Sequence, residues 1–151
     1  MDCGFTIKET ERRMARLGVS PSDLSAILVT HEHSDHLSGV APLARKYKLP
    51  VYLTPGTLRA RDIGKLPRLH LIEGHQPFAV ADIQVTPVAV PHDAREAAQF
   101  VFRNRGGSLG LLTDLGTVTP TSRLISATAM PWYWKPTTTR RCWPRDPIHR
   151  R

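Results

Sequence analysis

Four potential metal ligands lie within six consecutive positions of this 151-residue chain. The segment Thr30-His31-Glu32-His33-Ser34-Asp35-His36 contains the pattern His-x-His-x-Asp-His. Imidazole nitrogens and carboxylate oxygens are the ligands that zinc and similar divalent ions prefer. Alternate residues of an extended stretch share one side, so His31 and His33 can bind one ion, while Asp35 and His36, beyond a bend, can face a second. The spacing therefore indicates a divalent-metal centre rather than a solvated polar loop with surface histidines.

A buried strand is predicted directly before this cluster. Residues 26–29 form a short, apolar, β-branched run after a Pro/Ser/Asp turn, which is typical of a strand that ends at Thr30. A rigid sheet can aim the side chains that follow a strand end at one point. His92 and Asp114 also follow apolar runs, which makes each a candidate ligand; by sequence alone each is equally well explained as an ordinary turn residue.

Other polar residues carry weaker signals. In an extended stretch Glu32 points away from the side shared by the first two histidines, so we expect it to support the site or face solvent. His70 and His75 lie in turn-flanked, strand-like stretches that are typical of ordinary polar residues. Ser34 and Cys3 lack the sequence context of an activated nucleophile, so the predicted nucleophile is water.

Helices and strands alternate along the first half of the chain, which indicates the α/β class. Thr6 is the predicted N-cap of a helix that runs to Leu17, with Glu9 as its capping-box partner. Further helices are predicted at residues 39–48 and 55–61. Strands are predicted at residues 26–29, 51–53, 69–72, 78–80, 83–90, 100–103 and 109–113.

Length and composition fit one domain with a single main core, since 40% of the residues are hydrophobic and 23% are charged. Collagen-like, disordered and coiled-coil classes are excluded. No apolar run approaches the roughly 18 residues of a membrane span, the first residues lack a secretory signal, and Cys3 and Cys142 make no disulfide framework. These features predict a soluble, cytoplasmic protein without a membrane partner; they leave its oligomeric state open.

The metal-ligand pattern after an apolar strand resembles the metallo-β-lactamase-fold hydrolases. Three further strings resemble those of the YycJ/WalJ-like branch, bacterial cytoplasmic hydrolases related to phosphodiesterases and exonucleases: Asp2-Cys3-Gly4, Pro91-His92-Asp93-Ala94 and Thr113-Asp114-Leu115-Gly116. Together the strings cover residues 1–116, a partial metallo-β-lactamase-like domain. The resemblance implies an αββα sandwich with two divalent metal ions at its edge, Zn²⁺ or alternatively Mn²⁺.

The resemblance also implies roles for individual residues. Three histidines would bind one ion, an Asp–His pair the other, and one aspartate both: His31, His33 and His92; Asp35 and His36; Asp114. Asp35 would also orient the metal-activated water, which makes it the candidate catalytic residue, and Asp2 would orient metal-site histidines. The implied reaction is phosphodiester hydrolysis, as in an exonuclease, with nucleic acid as the substrate.

Two features of the family are missing from the sequence. The family's fold begins with a strand pair before the Asp-Cys-Gly string, and a later histidine for the second metal follows a Glu-x-Asn-His-Asp-like string. We therefore expect a truncated copy whose fold is incomplete at both ends. Because unpaired sheet edges and exposed core surface are destabilising, we expect this chain to be poorly stable and weakly active.

Residues 117–151 form a basic tail rich in Trp, Arg, Pro and Thr, with 7 of the 21 basic residues and one of the 13 acidic ones. Its three tryptophans lie within twelve residues and follow no helix or strand period. The codons of residues 130–139, read one nucleotide earlier, admit Asp-Ala-Leu-Val-Leu-Glu-Ala-Asn-His-Asp, which resembles the family's continuation. The sequence thus indicates a one-nucleotide shift between about Gly116 and Met130, and a poorly ordered, out-of-frame tail.

Alternative functions stay open at this point. A thioester or lactone hydrolase on the same metal core is the second enzyme hypothesis, because fold and ligands alone do not choose the substrate. The non-enzyme hypothesis is an inactive fragment that holds at most one ion, or a basic nucleic-acid-binding protein. In the latter case the tail would be a genuine arm whose arginines pair phosphates and whose tryptophans stack on bases.

Overall fold

The computed structural model describes residues 1–117 and 119–120, together with the backbone of residues 132–135. Its helices are α1 (Ile7–Arg16), α2 (Ser34–Leu37), α3 (Val40–Tyr47) and α4 (Pro55–Ala60), with a 3₁₀ turn at Pro21–Asp23. Its strands are β1 (Ile27–Leu28), β2 (Pro50–Leu53), β3 (Arg68–Leu71), β4 (Phe78–Val80), β5 (Ile83–Ala89), β6 (Ala98–Asn104), β7 (Gly107–Thr113) and β8 (Trp132–Lys135). Among the described residues, no helix is both long and apolar enough to cross a membrane.

The first sheet is parallel, with the order β1-β2-β3. Val51 in the central strand is in register with Ile27 on one side and Leu69 on the other. The chain returns through helices α2 and α3 between the first two strands and through α4 before the third. Because parallel strands point the same way, the residues that follow β1 and β2 emerge at the same edge.

The second sheet has the order β4-β5-β6-β7-β8. Strands β4 to β7 form an antiparallel meander, and β8 pairs with β7 in parallel. Leu111 in β7 is in register with Phe100 on one side and Tyr133 on the other. The carboxyl end of β7 therefore delivers Asp114 to the sheet edge with β8 beside it.

Apolar side chains form a layer between the two sheets and another between the first sheet and its helices. Leu28, Ile72, Val85 and Phe100 pack between the sheets. The opposite face of the first sheet packs against α2 and α3 through another set, which includes Val29, Leu53, Leu37, Val40 and Leu43. Each fully buried side chain of this kind contributes roughly 1.5–3 kcal/mol.

A smaller cluster of Val88, Val101 and Leu112 lies on the other face of the second sheet. The described helices, first sheet and second sheet are thus three successive layers of the predicted αββα sandwich. The outer helical layer of such a sandwich would cover this cluster. The predicted α/β class and sandwich architecture are confirmed by this layering and by the structural neighbours described below.

The first helix differs from its prediction in two respects. Thr6 is the N-cap and accepts a hydrogen bond from the Glu9 amide at 3.4 Å, as predicted. The Glu9 carboxylate, however, pairs with Arg12 and Arg13 instead of closing a capping box. The sequence places Ile7, Met14 and Leu17 near one face, which predicts a buried face; Ile7 and Met14 are only half-buried and Leu17 is 80% exposed.

Two local elements were not expected from the sequence. Residues 34–37, for which neither a helix nor a strand is predicted, form helix α2, and His33 is its N-cap. Residues 132–135 form a strand although the tail shows no strand period. The rest of the tail beyond Pro120, including most of the predicted out-of-frame segment, lies outside the described residues. The other predicted elements are present, with ends that differ by one or two residues at most positions.

Candidate metal centre

Four separate segments meet where β1 ends. The Asp2 amide donates to the Leu28 carbonyl at 2.8 Å, which brings the Asp2-Cys3-Gly4 string beside this strand. The Ala98 amide donates to the Thr30 carbonyl at 2.9 Å, and the Gly116 amide donates to the Pro91 carbonyl at 2.8 Å. Backbone hydrogen bonds therefore join residues 2–4, 30–36, 91–97 and 114–116 into one continuous edge.

His31, His33 and His92 form a first group of potential ligands at this edge. One ligand atom from each residue lies within 4.8 Å of the other two. The ring centroid of His31 is 4.4 Å from that of His33 and 4.6 Å from that of His92. Three imidazoles at this spacing match the donor number of a tetrahedral zinc site that keeps one open position.

His31, His36 and Asp114 form a second group, and all three residues are buried. Nε2 of His36 lies 2.9 Å from Oδ2 of Asp114, within ion-pair distance. His31 belongs to both groups, whereas the resemblance assigns it to the first ion alone. The backbone of Asp114 has φ +49°, in the left-handed region that non-glycine residues seldom adopt, so the fold holds this carboxylate in a costly conformation.

The buried ligand atoms of the centre have no hydrogen-bond partner among the described residues. They are Nε2 of His31, His36 and His92 and Oδ2 of Asp114. The short contact between His36 Nε2 and Asp114 Oδ2 lacks hydrogen-bond geometry. Buried polar atoms are rarely left unpaired in folded proteins. Their convergence, and their nitrogen and carboxylate chemistry, fit a divalent cation.

The opposite nitrogen of each of these three imidazoles lies close to an oxygen, and those of His31 and His36 form hydrogen bonds with it. Nδ1 of His31 lies 2.9 Å from the Thr30 hydroxyl, and Nδ1 of His36 lies 3.1 Å from Asp2 Oδ2. Nδ1 of His92 lies 3.0 Å from Asp93 Oδ1. An Nδ1–H bonded to oxygen leaves the Nε2 lone pair for a metal, which is how proteins orient metal-binding histidines.

His33 has the reverse arrangement. Its Nε2 lies 3.1 Å from the Asp93 carbonyl oxygen, which can only accept a hydrogen bond. Donation from Nε2 leaves the lone pair on Nδ1. His33 would therefore bind through a different ring nitrogen from His31 and His92.

The surroundings shift the pKa of two histidines in opposite directions. Burial, followed by the charges of His36, His92 and His33, lowers the pKa of His31 to about 4. His31 is therefore neutral near pH 7, which is the form that binds a metal. Burial disfavours protonation of His36, but its hydrogen bond to Asp2 and the nearby carboxylates outweigh this and raise its pKa.

Thr30 is a positioning residue that the sequence reasoning missed. The Asp2 carboxylate accepts hydrogen bonds from the Thr30 amide at 2.8 Å and from its hydroxyl at 3.0 Å. Since the hydroxyl proton goes to Asp2, the Thr30 oxygen accepts from Nδ1 of His31. One carboxylate thus orients His36 directly and His31 through a hydroxyl. In the sequence, the signal for this role is that a threonine directly precedes the first histidine of the ligand cluster.

Asp35 is placed differently from the other predicted ligands. Its side chain is 68% exposed, and Oδ2 lies 3.5 Å from Nε2 of His36. It belongs to neither close group but lines a cleft of about 480 Å³ together with His33, His92 and Asp114. Its predicted roles as ligand and catalytic residue remain predictions.

His70, His75 and Glu32, whose sequence signals are weaker, belong to neither group of candidate ligands. His70 is exposed and stacks on Tyr52, with ring centroids 4.5 Å apart, and His75 is exposed in a turn. Glu32 neither faces the ligands nor lies free in solvent: its Oε1 accepts a hydrogen bond from the Arg95 amide at 2.7 Å.

Fold and donor set together define a metallo-β-lactamase-type domain with a centre for divalent metal. Residues 1–149 match the family model described as the beta-lactamase superfamily domain. The chain belongs to this family.

Individual relatives and structures agree with this assignment. The chain is 39% identical over 122 residues to exodeoxyribonuclease YycJ of Bacillus anthracis, covering 78% of this chain and 46% of that protein. It is 36% identical over 124 residues to exodeoxyribonuclease WalJ of Streptococcus pneumoniae, with the same two coverages. The chain thus spans about half the length of these curated relatives.

A similar solved structure is that of Zn²⁺-bound PqqB from Methylobacterium extorquens. The match has a TM-score of 0.64 at 20% identity and covers 74% of this chain and 46% of that one. A likeness at this identity shows the fold. The resemblance to the metallo-β-lactamase-fold hydrolases inferred from the sequence motifs is confirmed.

Proposed function

We propose that this chain carries the metal centre of a hydrolase that cleaves phosphodiester bonds in nucleic acid. The observation that carries the proposal is the convergence, at a sheet edge that opens into a cleft, of four buried ligand-type atoms that have no hydrogen-bond partner among the described residues. The names of the relatives, exodeoxyribonucleases and ribonucleases, favour nucleic acid over a thioester or lactone. We also propose a cytoplasmic location, where a hydrolase of nucleic acid would meet its substrate.

Some side chains of the site would bind metal ions, and some would orient the reactants. We propose two ions: His31, His33 and His92 would hold one, Asp35 and His36 would hold the other, and Asp114 would bind both. A nitrogen-rich donor set favours Zn²⁺, with Mn²⁺ as the alternative. Bound divalent ions would acidify a water near neutral pH and stabilise charge on the phosphoryl oxygens.

Asp35 is the side chain suited to orient the attacking water. It is exposed in the cleft and lies beside His36, so its carboxylate can accept a hydrogen bond from a water molecule there. The buried Asp114 is held at the back of the same cleft by the Gly116–Pro91 hydrogen bond two residues later. The exposed carboxylate of Asp35 would therefore orient the water as well as bind the second ion, whereas the buried carboxylate of Asp114 would act on the ions alone.

Metal content and nuclease activity test this proposal together. We expect the chain, loaded with Zn²⁺ or Mn²⁺, to bind two ions and to release nucleotides from end-labelled DNA. Asp114→Asn should lower the rate about 100-fold or more, because it removes a charge that holds the ions. His75→Asn is the matched control, since His75 is exposed, remote from the cleft, and has φ +67°, which asparagine tolerates.

The alternatives predict different results in the same assays. Activity on thioesters or lactones without activity on DNA would reject the phosphodiester assignment. Binding of at most one ion with no hydrolysis of any substrate would support the inactive-fragment hypothesis.

A further inference from the structure

The side chain of Glu32 connects two segments of the candidate metal centre. Glu32 lies between His31 and His33 in the sequence, yet its carboxylate reaches the segment that carries His92. There Oε1 accepts a hydrogen bond from the Arg95 amide at 2.7 Å. The contact joins residues 63 positions apart, three residues after His92.

The hydrogen bond from Arg95 to Glu32 can affect the distances between the candidate histidine ligands. The ring of His92 is 4.6 Å from that of His31 and 5.0 Å from that of His33, so small movements of the 91–97 segment change both of these distances. The same segment receives a contact from His33 at the Asp93 carbonyl oxygen. That contact comes from a candidate ligand, whereas Glu32 is not a candidate ligand and can be replaced without removing one.

The second oxygen of Glu32 argues against a purely stabilising role. Oε2 is buried and has no hydrogen-bond partner among the described residues. A buried, unpaired carboxylate oxygen is destabilising, and a glutamine at this position would keep the bond to Arg95 with less desolvation.

We infer that Glu32 is a positioning residue of the metal centre: by accepting the Arg95 amide proton, it holds the 91–97 segment so that His92 reaches the ion bound by His31 and His33. This inference rests on the proposed function, because it assumes that these three histidines bind one ion.

A matched control lies in the same segment. The Glu96 carboxylate also accepts a backbone N–H, from Gly56, but it joins the segment to α4 instead of to the ligand cluster. Glu32→Ala and Glu96→Ala each remove one carboxylate contact to a backbone amide. A contact that merely stabilises the fold should affect both variants alike, whereas a positioning role makes only Glu32→Ala change metal binding.

The experiment measures Zn²⁺ affinity of the full 151-residue chain by competition with a chelating dye. We expect Glu32→Ala to weaken binding about 10- to 100-fold and Glu96→Ala to leave it within about threefold of the parent. Glu32→Gln should restore most of the affinity, since its amide oxygen can accept from Arg95. In a His92→Ala background, Glu32→Ala should have almost no further effect, because Glu32 acts through His92.

Amide hydrogen exchange of the metal-free chain provides a readout that needs no ion. The Arg95 amide should be protected in the parent and in Glu32→Gln, and should exchange faster in Glu32→Ala. Equal Zn²⁺ affinity of the parent and Glu32→Ala would overturn the inference while leaving the proposed function intact. A parent chain that binds no Zn²⁺ would instead remove the proposed function and the inference with it. If Glu32→Ala fails to fold, Glu32→Asp, whose side chain is one methylene shorter, takes its place in the same comparison with Glu96→Ala.

Discussion

The Thr30 hydroxyl holds the centre of the polar network at the end of β1. It is fully buried and joins the Asp2 carboxylate to the imidazole of His31, while the same carboxylate contacts His36. Buried polar groups of this kind are costly when one member is removed, since the remaining partners lose their hydrogen bonds without gaining water. The orientation of two candidate ligands therefore depends on a residue that is not a ligand.

Replacing Thr30 with valine keeps the shape of the side chain and removes this hydroxyl. We expect the free energy of unfolding to fall by about 1–3 kcal/mol, because Nδ1 of His31 and one Asp2 oxygen lose a partner. Zn²⁺ affinity should fall about 10- to 100-fold. Urea unfolding and dye competition measure the two effects. The control Thr86→Val, on strand β5, should change stability by less than about 1 kcal/mol. Unchanged Zn²⁺ affinity in Thr30→Val would show that the hydroxyl does not orient the ligands.

Close backbone packing between elements sets the shape of the sheet edge. A Cβ atom built on Gly4 would overlap the carbonyl group and Cα of Asp35, so the residue 2–4 segment can lie against α2 only with glycine there. Gly39, at the start of α3, is similarly close to the carbonyl oxygen of Phe5, and its amide donates to the Cys3 carbonyl at 2.7 Å. The N-terminal segment is thereby held against both helices that follow the ligand cluster.

Gly4→Ala should disturb this packing. The clashing atoms belong to backbone, which cannot move aside as a flexible side chain does, so we expect a loss of about 1–3 kcal/mol in unfolding free energy. Metal affinity should fall as well, because the displaced backbone carries Asp35 and precedes His36. Gly74→Ala serves as the comparison, since its Cβ would lie 3.5 Å from the Ala89 Cβ, an ordinary contact. If the two alanine variants have the same stability and affinity, the close approach at Gly4 has no role in the site.

The position of strand β8 in the second sheet is informative about the origin of the tail, residues 117–151. Its parallel pairing with β7 places Lys135 in register with Thr113, directly before Asp114. In the reading frame one nucleotide earlier, positions 133–135 become Val-Leu-Glu, and positions 137–139 each become Asn, Asp, His or Tyr. We propose that the gene carries a one-nucleotide shift between about Gly116 and Met130, and that the repaired frame supplies metal-type side chains after this strand.

The DNA that encodes this chain tests the frameshift directly. We expect an open frame one nucleotide away that continues through an apolar strand to a later histidine. The protein made from the repaired gene should unfold at a higher urea concentration and bind its second ion more tightly than the 151-residue chain. Stop codons soon after position 139 in that frame would instead favour a genuine basic arm. In that case, removing the tail should weaken DNA binding and reduce its dependence on salt.

The parts of the fold that sequence reasoning predicted well depend on local interactions. Thr6 caps α1, Thr54 caps α4, and Lys48 ends α3 in a left-handed conformation before Pro50, all within one helical turn of the residues they affect. The buried strand before the ligand cluster was visible for the same reason, as a short apolar run. Whether a helix packs on a core is not local, and α1, with an apolar periodicity but no buried residue, shows this limit.

The sequence by itself determined the ligand-type residues and the chemistry they are suited to, because the spacing from His31 to His36 spans only six positions of one chain segment. By sequence, His92 and Asp114 are explained equally well as metal ligands or as ordinary turn residues. The tertiary structure places both beside the ligand cluster, because packing of the two sheets brings distant strand ends to one edge. It also decided which ring nitrogen of each histidine faces the centre, through the oxygens of Thr30, Asp2 and Asp93. The contacts from Asp2 to His36 and from the Asp93 carbonyl oxygen to His33 join segments that sequence periodicity treats independently, so only the folded chain can specify them.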